Sequence, residues 1–216
     1  MDIANSTYIT YGTYITTILL WMGLAYFLYD DKSNNIKITR NYISTIHATF
    51  VLLFFSFSVP ASCLFYVSTG YYTFDGIMDL YYLIKTRRFY NMTIIVHHIV
   101  SCLILCYLRD SVVSKYIYYS FFLTETSNFP IYLVYHLNQK KYDNKFVIKS
   151  FIVIEALSFL ILRLVLCGRN LYSAYISNEV PYLPIVCGGI IYVMSIIWLY
   201  GMVLQIFRKS NKEKTN

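Results

Sequence analysis

Two adjacent histidines, His97 and His98, stand inside an apolar stretch that runs from Met92 to Leu108. That stretch is long and apolar enough to cross a bilayer as a helix. Ionisable groups inside such a segment are costly, face a bundle interior or a cavity, and are functional candidates by default. An imidazole beside a carboxylate can take a proton or act as a nucleophile. Carboxylates are available in the preceding apolar segment, where Asp75 and Asp79 are four residues apart and so share one helix face. His47, Asp79 and His97 each lie about six residues in from the basic end of their segment, roughly 9 Å deep at the helical rise. Asp75 and Glu125 lie deeper. The two histidines are about 100° apart around a helix. One is therefore expected to face a pocket with Asp79, and the other to pack against a neighbouring helix.

Other polar residues extend this pattern. The run Thr124-Glu125-Thr126-Ser127-Asn128-Phe129-Pro130 is unusually polar for a span. Pro130 is expected to kink it and free carbonyls toward a cavity. Glu155 and Arg163 share a later apolar segment, and Arg163 is read as a structural counter-ion for Asp75, Glu125 or Glu155. Four histidines are too few for a di-iron desaturase centre, and no metal is expected.

The elements that position these groups are apolar helices. The chain is 57% hydrophobic and only 13% charged, against roughly 25% charged in a soluble domain. The charges fall between the apolar runs, which predicts an all-α, multi-pass membrane bundle. Seven spans are expected. The first covers about 8–28. The region 42–84 is about twice the length of one span, so it holds two, with the reversal placed by Pro60 and by Ser68-Thr69-Gly70. The histidine helix is the fourth. Spans over 116–137, 146–167 and 184–207 complete the set. Each central Asp costs about 3 kcal/mol in a membrane and each Leu, Ile or Phe returns about 0.5, so the Asp75/Asp79 helix needs neighbours that shield it.

Lys and Arg mark one side: Lys32, Lys37, Arg40; Lys85, Arg87, Arg88; Lys140, Lys141, Lys145; and Arg208, Lys209, Lys212, Lys214. The other side has only Arg109, Lys115 and Arg169. This bias puts the C-terminus in the cytosol and the N-terminus in the lumen or outside. It also explains the net charge of +7 without nucleic acid, for which no basic helix or aromatic-basic sheet motif is present. Lys212 and Lys214 match the KxKxx address for retrieval to the endoplasmic reticulum by coat proteins. Of the five cysteines, Cys63, Cys167 and Cys187 fall near the lumenal side, where a disulfide is open to them.

Taken in order, Ser44-Thr45-Ile46-His47, Ser68 through Asp75, His97-His98, Thr124 through Pro130 and Leu162-Arg163 resemble the TLC domain family. That family includes translocon-associated proteins, ceramide synthases and the neuronal ceroid lipofuscinosis protein of the endoplasmic reticulum. The layout is most similar to the short TLC-domain-only proteins. The resemblance covers residues 40–208, preceded by an N-terminal helix and cytosolic loop (1–39) and followed by a basic tail (209–216). It implies a six-helix bundle around a lipid-accessible cavity, plus one added helix. It implies lipid handling in the endoplasmic reticulum, with His47, Asp75, Asp79 and Glu125 as lipid-binding residues. In ceramide synthases the paired histidines are implicated in acyl transfer from acyl-CoA to a sphingoid amine. His97 and His98 match that pair as catalytic candidates, with acyl-CoA as substrate and no cofactor. The further His-Asp motif of those enzymes is replaced here by Leu123-Thr124-Glu125-Thr126-Ser127. A membrane cargo receptor is the third expectation. Membrane lipids are the expected partners, with a second copy of the chain as another.

Overall fold

The computed structural model describes residues 3–29, 36–86, 92–109, 111–140 and 142–214, with side chains described within 12–29, 38–85, 92–108, 113, 115–140 and 142–207. All regular structure among them is helical. The elements are α1 (Ile3–Leu28), α2 (Ile36–Ser56), α3 (Ala61–Thr86), α4 (Met92–Leu105, closed by a 3₁₀ turn over Cys106–Arg109), α5 (Ser111–Gln139), α6 (Lys145–Ser158), a π-helical segment (Phe159–Leu166), α7 (Cys167–Ile176) and α8 (Tyr182–Lys214). α6, the π segment and α7 are continuous, so the described residues form seven rods. The side chains of Lys212 and Lys214, on which the expected retrieval address falls, lie outside the described residues, as do Lys32, Arg87 and Arg88.

Two rods are long and apolar enough to cross a bilayer, Lys145–Ile176 and Tyr182–Phe207, with mean hydropathies of 2.3 and 2.0. The stretches Gly12–Leu28 and Met92–Leu108 are apolar but shorter. α2, α3 and α5 are diluted by the polar residues that the sequence reading singled out, and those residues turn inward. His47, Ser68, Asp75, Asp79, Glu125 and Ser127 are all buried.

The reversal between α2 and α3 occurs at Phe57–Pro60 alone. Ser58 adopts a left-handed backbone (φ 51°), and Pro60 ends the turn immediately before α3. Ser68-Thr69-Gly70, expected to share in that reversal, lies inside an unbroken α3. Its small residues serve packing instead. A Cβ on Gly70 would come within 2.6 Å of Thr17 Oγ1, so glycine lets α1 approach α3 closely. Tyr14 and Thr73 hydrogen-bond across the same contact, and Trp21 Nε1 donates to the Val67 carbonyl at 3.0 Å. α5 runs on through Pro130. All five cysteines are free.

Candidate functional site

α2 and α3 run antiparallel, and their polar residues meet in register. On α2, Arg40, Ser44 and His47 recur at spacings of four and three, which puts them on one face. They oppose Ser68, Tyr71, Asp75 and Asp79 of α3. His47 Nε2 lies 3.0 Å from Ser68 Oγ. Tyr71 donates its hydroxyl to Ser44 Oγ at 2.9 Å, and its ring stacks on His47 with centroids 4.0 Å apart. Arg40 Nε donates to Asp75 Oδ1 at 2.7 Å, and Nη1 donates to Asp79 Oδ1 at 2.8 Å.

α4 completes this cluster. His98 Nε2 sits 3.3 Å from Asp75 Oδ2 and 3.4 Å from Asp79 Oδ2. Two carboxylates thus meet one guanidinium and one imidazole, contributed by three helices. Asp75, Asp79 and His98 bring their ligand-type atoms within 4.8 Å of one another. Arg40 already supplies positive charge to both carboxylates, so this set works as an ion cluster that ties α2 to α3. In the sequence Arg40 reads as a loop charge marking the cytosolic side. The signal for its role here is its spacing of seven from His47, two helical turns on the same face.

A second network joins α3, α5 and the π segment. Tyr72 donates to Glu125 Oε1 at 2.7 Å, and His47 Nδ1 lies 3.8 Å from Glu125 Oε2. Asn128 Nδ2 donates to Glu125 Oε2 at 3.2 Å. On its other side Asn128 Oδ1 accepts from Arg163 Nη2 at 3.0 Å. Arg163 Nε donates to Ser127 Oγ at 3.0 Å, and Nη2 also reaches the Thr124 carbonyl at 3.4 Å. The hydrogen bonds of Arg163, expected as a counter-ion for Asp75, Glu125 or Glu155, run to neutral groups of α5, and Asn128 stands between it and Glu125. Glu155 is buried one helix segment earlier on the same rod.

The expected depths are regrouped too. His98, not His97, joins Asp79, and Asp75 sits with them. His47 belongs with Glu125. Asp75 and Asp79 are only one helical turn apart, so Arg40 and His98 each span both carboxylates. Of the four residues read as lipid-binding, His47, Asp75, Asp79 and Glu125, none lines the cavity described next; each is 6% exposed or less and bridges helices.

The cavity lies between α4, α5, the π segment with α7, and α8, and has a volume of about 90 Å³. Most of its wall is apolar: Ile104, Ile117, Phe121, Leu171, Ile185 and Ile191. At one end stand His97, Tyr72 and Arg163; at the other, Ala174, Val180 and Pro184. Trp198 faces His97 and Arg163 at the first end. Its ring is 5.4 Å from that of His97, and Arg163 Cζ lies 5.7 Å from its centroid. Two atoms there lack a protein hydrogen-bond partner, His97 Nδ1 and Arg163 Nη1. The π segment carries Arg163. Its wide turn is seen where Cys167 N–H returns to Leu162 O, and such turns are frequent at functional sites. Asn170, one turn beyond, donates to the Tyr116 carbonyl and to Ser120 Oγ, both at 2.8 Å. The two histidines thus part as the 100° offset requires, His98 to the acids and His97 to the cavity.

No protein-family model matches the chain, and the searches of curated proteins and of solved structures gave no match either.

Proposed function

We propose that the chain is a multi-pass membrane protein of TLC type that binds and handles lipid, ceramide-related or phospholipid acyl chains, in the endoplasmic reticulum. The observation that carries this is the amphipathic cavity: an apolar channel between four rods that ends at His97, Tyr72 and Arg163. The exterior supports it as well. Large apolar side chains face outward on many rods, among them Leu19 at 59% exposure, Ile77 at 56%, Ile99 at 56%, Ile161 at 51% and Ile197 at 57%. Water is a poor solvent for a surface so widely apolar, whereas lipid tails suit it. Buried ion clusters facing a bundle interior fit the same setting.

Acyl transfer has less to support it. The imidazole that meets carboxylates, His98, is 5% exposed and does not line the cavity. The imidazole that does line it, His97, has aromatic rings for neighbours, those of Tyr72, His98 and Trp198. A base oriented by an acid and a substrate cavity are thus supplied by different residues.

The membrane part of the proposal is tested by topology. A glycosylation acceptor inserted between Arg169 and Glu179 should be modified, and a reporter fused after Asn216 should be cytosolic. Modification of an acceptor inserted between Lys140 and Lys145, with the first acceptor left bare, contradicts the seven-span arrangement. The lipid part is tested by extracting the purified protein, which should release lipid in stoichiometric amount; an extract without lipid contradicts it.

A further inference from the structure

The polar end of the cavity has a particular chemistry. Arg163 is only 3% exposed, and a buried guanidinium is a strong, permanently charged donor. Its Nε and Nη2 are spent on Ser127, Thr124 and Asn128, and it makes no ion pair among the described residues. Nη1 is left over, and so is Nδ1 of His97. A buried polar atom without a partner calls for an explanation. Both residues line one cavity and share Trp198 as a neighbour. The end of the cavity therefore offers donor hydrogens from a cation and, in the Nδ1–H tautomer, one from an imidazole.

Apart from Arg163 and His97 the wall brings neutral groups only. Asn170 is engaged with Tyr116 and Ser120, Tyr72 gives its hydroxyl to Glu125, and Ser101, Ser120, Tyr116 and Tyr192 add uncharged hydroxyls to a wall that is mainly apolar. Among the described residues Arg163 is the one permanent charge on it, so a ligand that answers that charge carries its anionic group at this end and a mainly apolar body behind it. From Ser195 back to Pro184, both on the wall, the channel follows α8 for roughly 16 Å at the helical rise. Its volume of about 90 Å³ is small beside the ~300–1,000 Å³ of sites that enclose a drug-sized molecule. That encloses one short unbranched segment next to the head and not two, so the remainder of a longer chain lies outside the enclosed volume.

We propose that the ligand of this cavity is a single-chain carboxylic acid, its carboxylate held by Arg163 with His97 and its chain directed along α8 toward Val180 and Pro184. The proposal rests on the lipid-binding function above and names its ligand class. A carboxylate has two oxygens, and the two residues present two unpartnered nitrogens. A phosphate monoester has three acceptor oxygens and close to two charges, more than this end can satisfy. An alcohol or ester brings no charge to meet the guanidinium.

Native mass spectrometry of the full-length chain, released from detergent in the presence of one amphiphile at a time, tests this. The series is dodecanoic acid, dodecanol, methyl dodecanoate and monododecyl phosphate. The acid should bind at concentrations about tenfold or more below the others, and Arg163→Gln should weaken it about ten- to a hundredfold while leaving dodecanol unchanged, as expected for a charge-assisted hydrogen bond. Equal binding of acid, alcohol and ester overturns carboxylate recognition while lipid binding stands. Tighter binding of the phosphate overturns it in favour of a phosphorylated head. Failure of all four to bind overturns the proposal and the lipid-binding function together. The wild-type series decides these outcomes even if Arg163→Gln does not fold, and His97→Ala, which removes the second donor, should weaken the acid selectively as well.

Discussion

Arg40 and Arg163 are both arginines drawn into the helical bundle beside buried polar groups, yet their surroundings differ in kind. Arg40 meets two carboxylates, at 2.7 and 2.8 Å, and His98 approaches the same carboxylates from α4. Both carboxylates there have the guanidinium in contact and the imidazole within 3.4 Å, although Asp79 Oδ2 and the His98 nitrogens make no hydrogen bond among the described residues. Arg163 meets a serine, a backbone carbonyl and an asparagine, keeps one nitrogen without a protein partner, and borders a cavity. The comparison separates two uses of a cation drawn into the bundle, one half-buried and one buried. The first holds α2, α3 and α4 together. The second leaves binding capacity facing an apolar channel. A residue's rarity in an apolar segment shows that it needs a partner; only the partners show whether the need is met inside the chain.

The largest expected effect comes from breaking the closed cluster. Arg40→Leu leaves Asp75 and Asp79 buried with His98 alone to offset them, a loss of about 3–5 kcal/mol for a buried pair stripped of one member. It should appear as lost monodisperse protein or a much lower melting temperature in detergent. Adding Asp79→Asn should recover part of the loss, and an unchanged melt in Arg40→Leu would show that the cluster does not hold the helices.

Next is Tyr72→Phe, which sits between the two regions. It removes the donor to Glu125 Oε1 and leaves a buried acceptor unsatisfied, at about 1–3 kcal/mol. Thermal unfolding should register this, with a smaller shift than Arg40→Leu gives. The reverse order would mean that the Glu125 network, not the Arg40 cluster, is the stronger tie.

The smallest stability effect is expected in the cavity wall. A Cβ on Gly188 would meet Leu171 Cδ1 at 2.8 Å, and Leu171 is the end of a flexible side chain that lines the cavity. Gly188→Val should therefore cost about 1 kcal/mol, at the low end of overpacking, while narrowing the channel. It should shorten the longest acid retained in a chain-length series. An unaltered preference would mean that the chain does not pass this point.

Much of the architecture was legible in the sequence because hydropathy and charge placement act residue by residue. The seven helical rods follow from the placement of apolar runs between charges, and the common face of Asp75 and Asp79 and the divergence of His97 from His98 follow from helical period. Partner choice did not follow. Arg40 sits at the start of α2, where a basic residue reads as a topology marker, and nothing local says that it reaches into α3. The π segment lies in the run Phe159–Leu166, which is apolar but for Arg163 and shows no local sign of a widened turn. Since it alters the rotation of the rod, the facing of Arg163 could not be deduced from an ideal helix. Ser68 and Gly70 read as turn residues by type, and their real use depends on His47 and Thr17, more than 20 residues away.

The division between a closed cluster and an open cavity is tested most directly by photo-crosslinking. A dodecanoic acid analogue with a diazirine in its chain is bound to the purified protein, activated, and mapped by peptide mass spectrometry. Adducts are predicted on the cavity wall, at Ile104, Phe121, Ile185 or Ile191, with none near Arg40, Asp75, Asp79 or His98. Adducts confined to the outward faces of the helices, or clustered at the Arg40 site, would contradict the account.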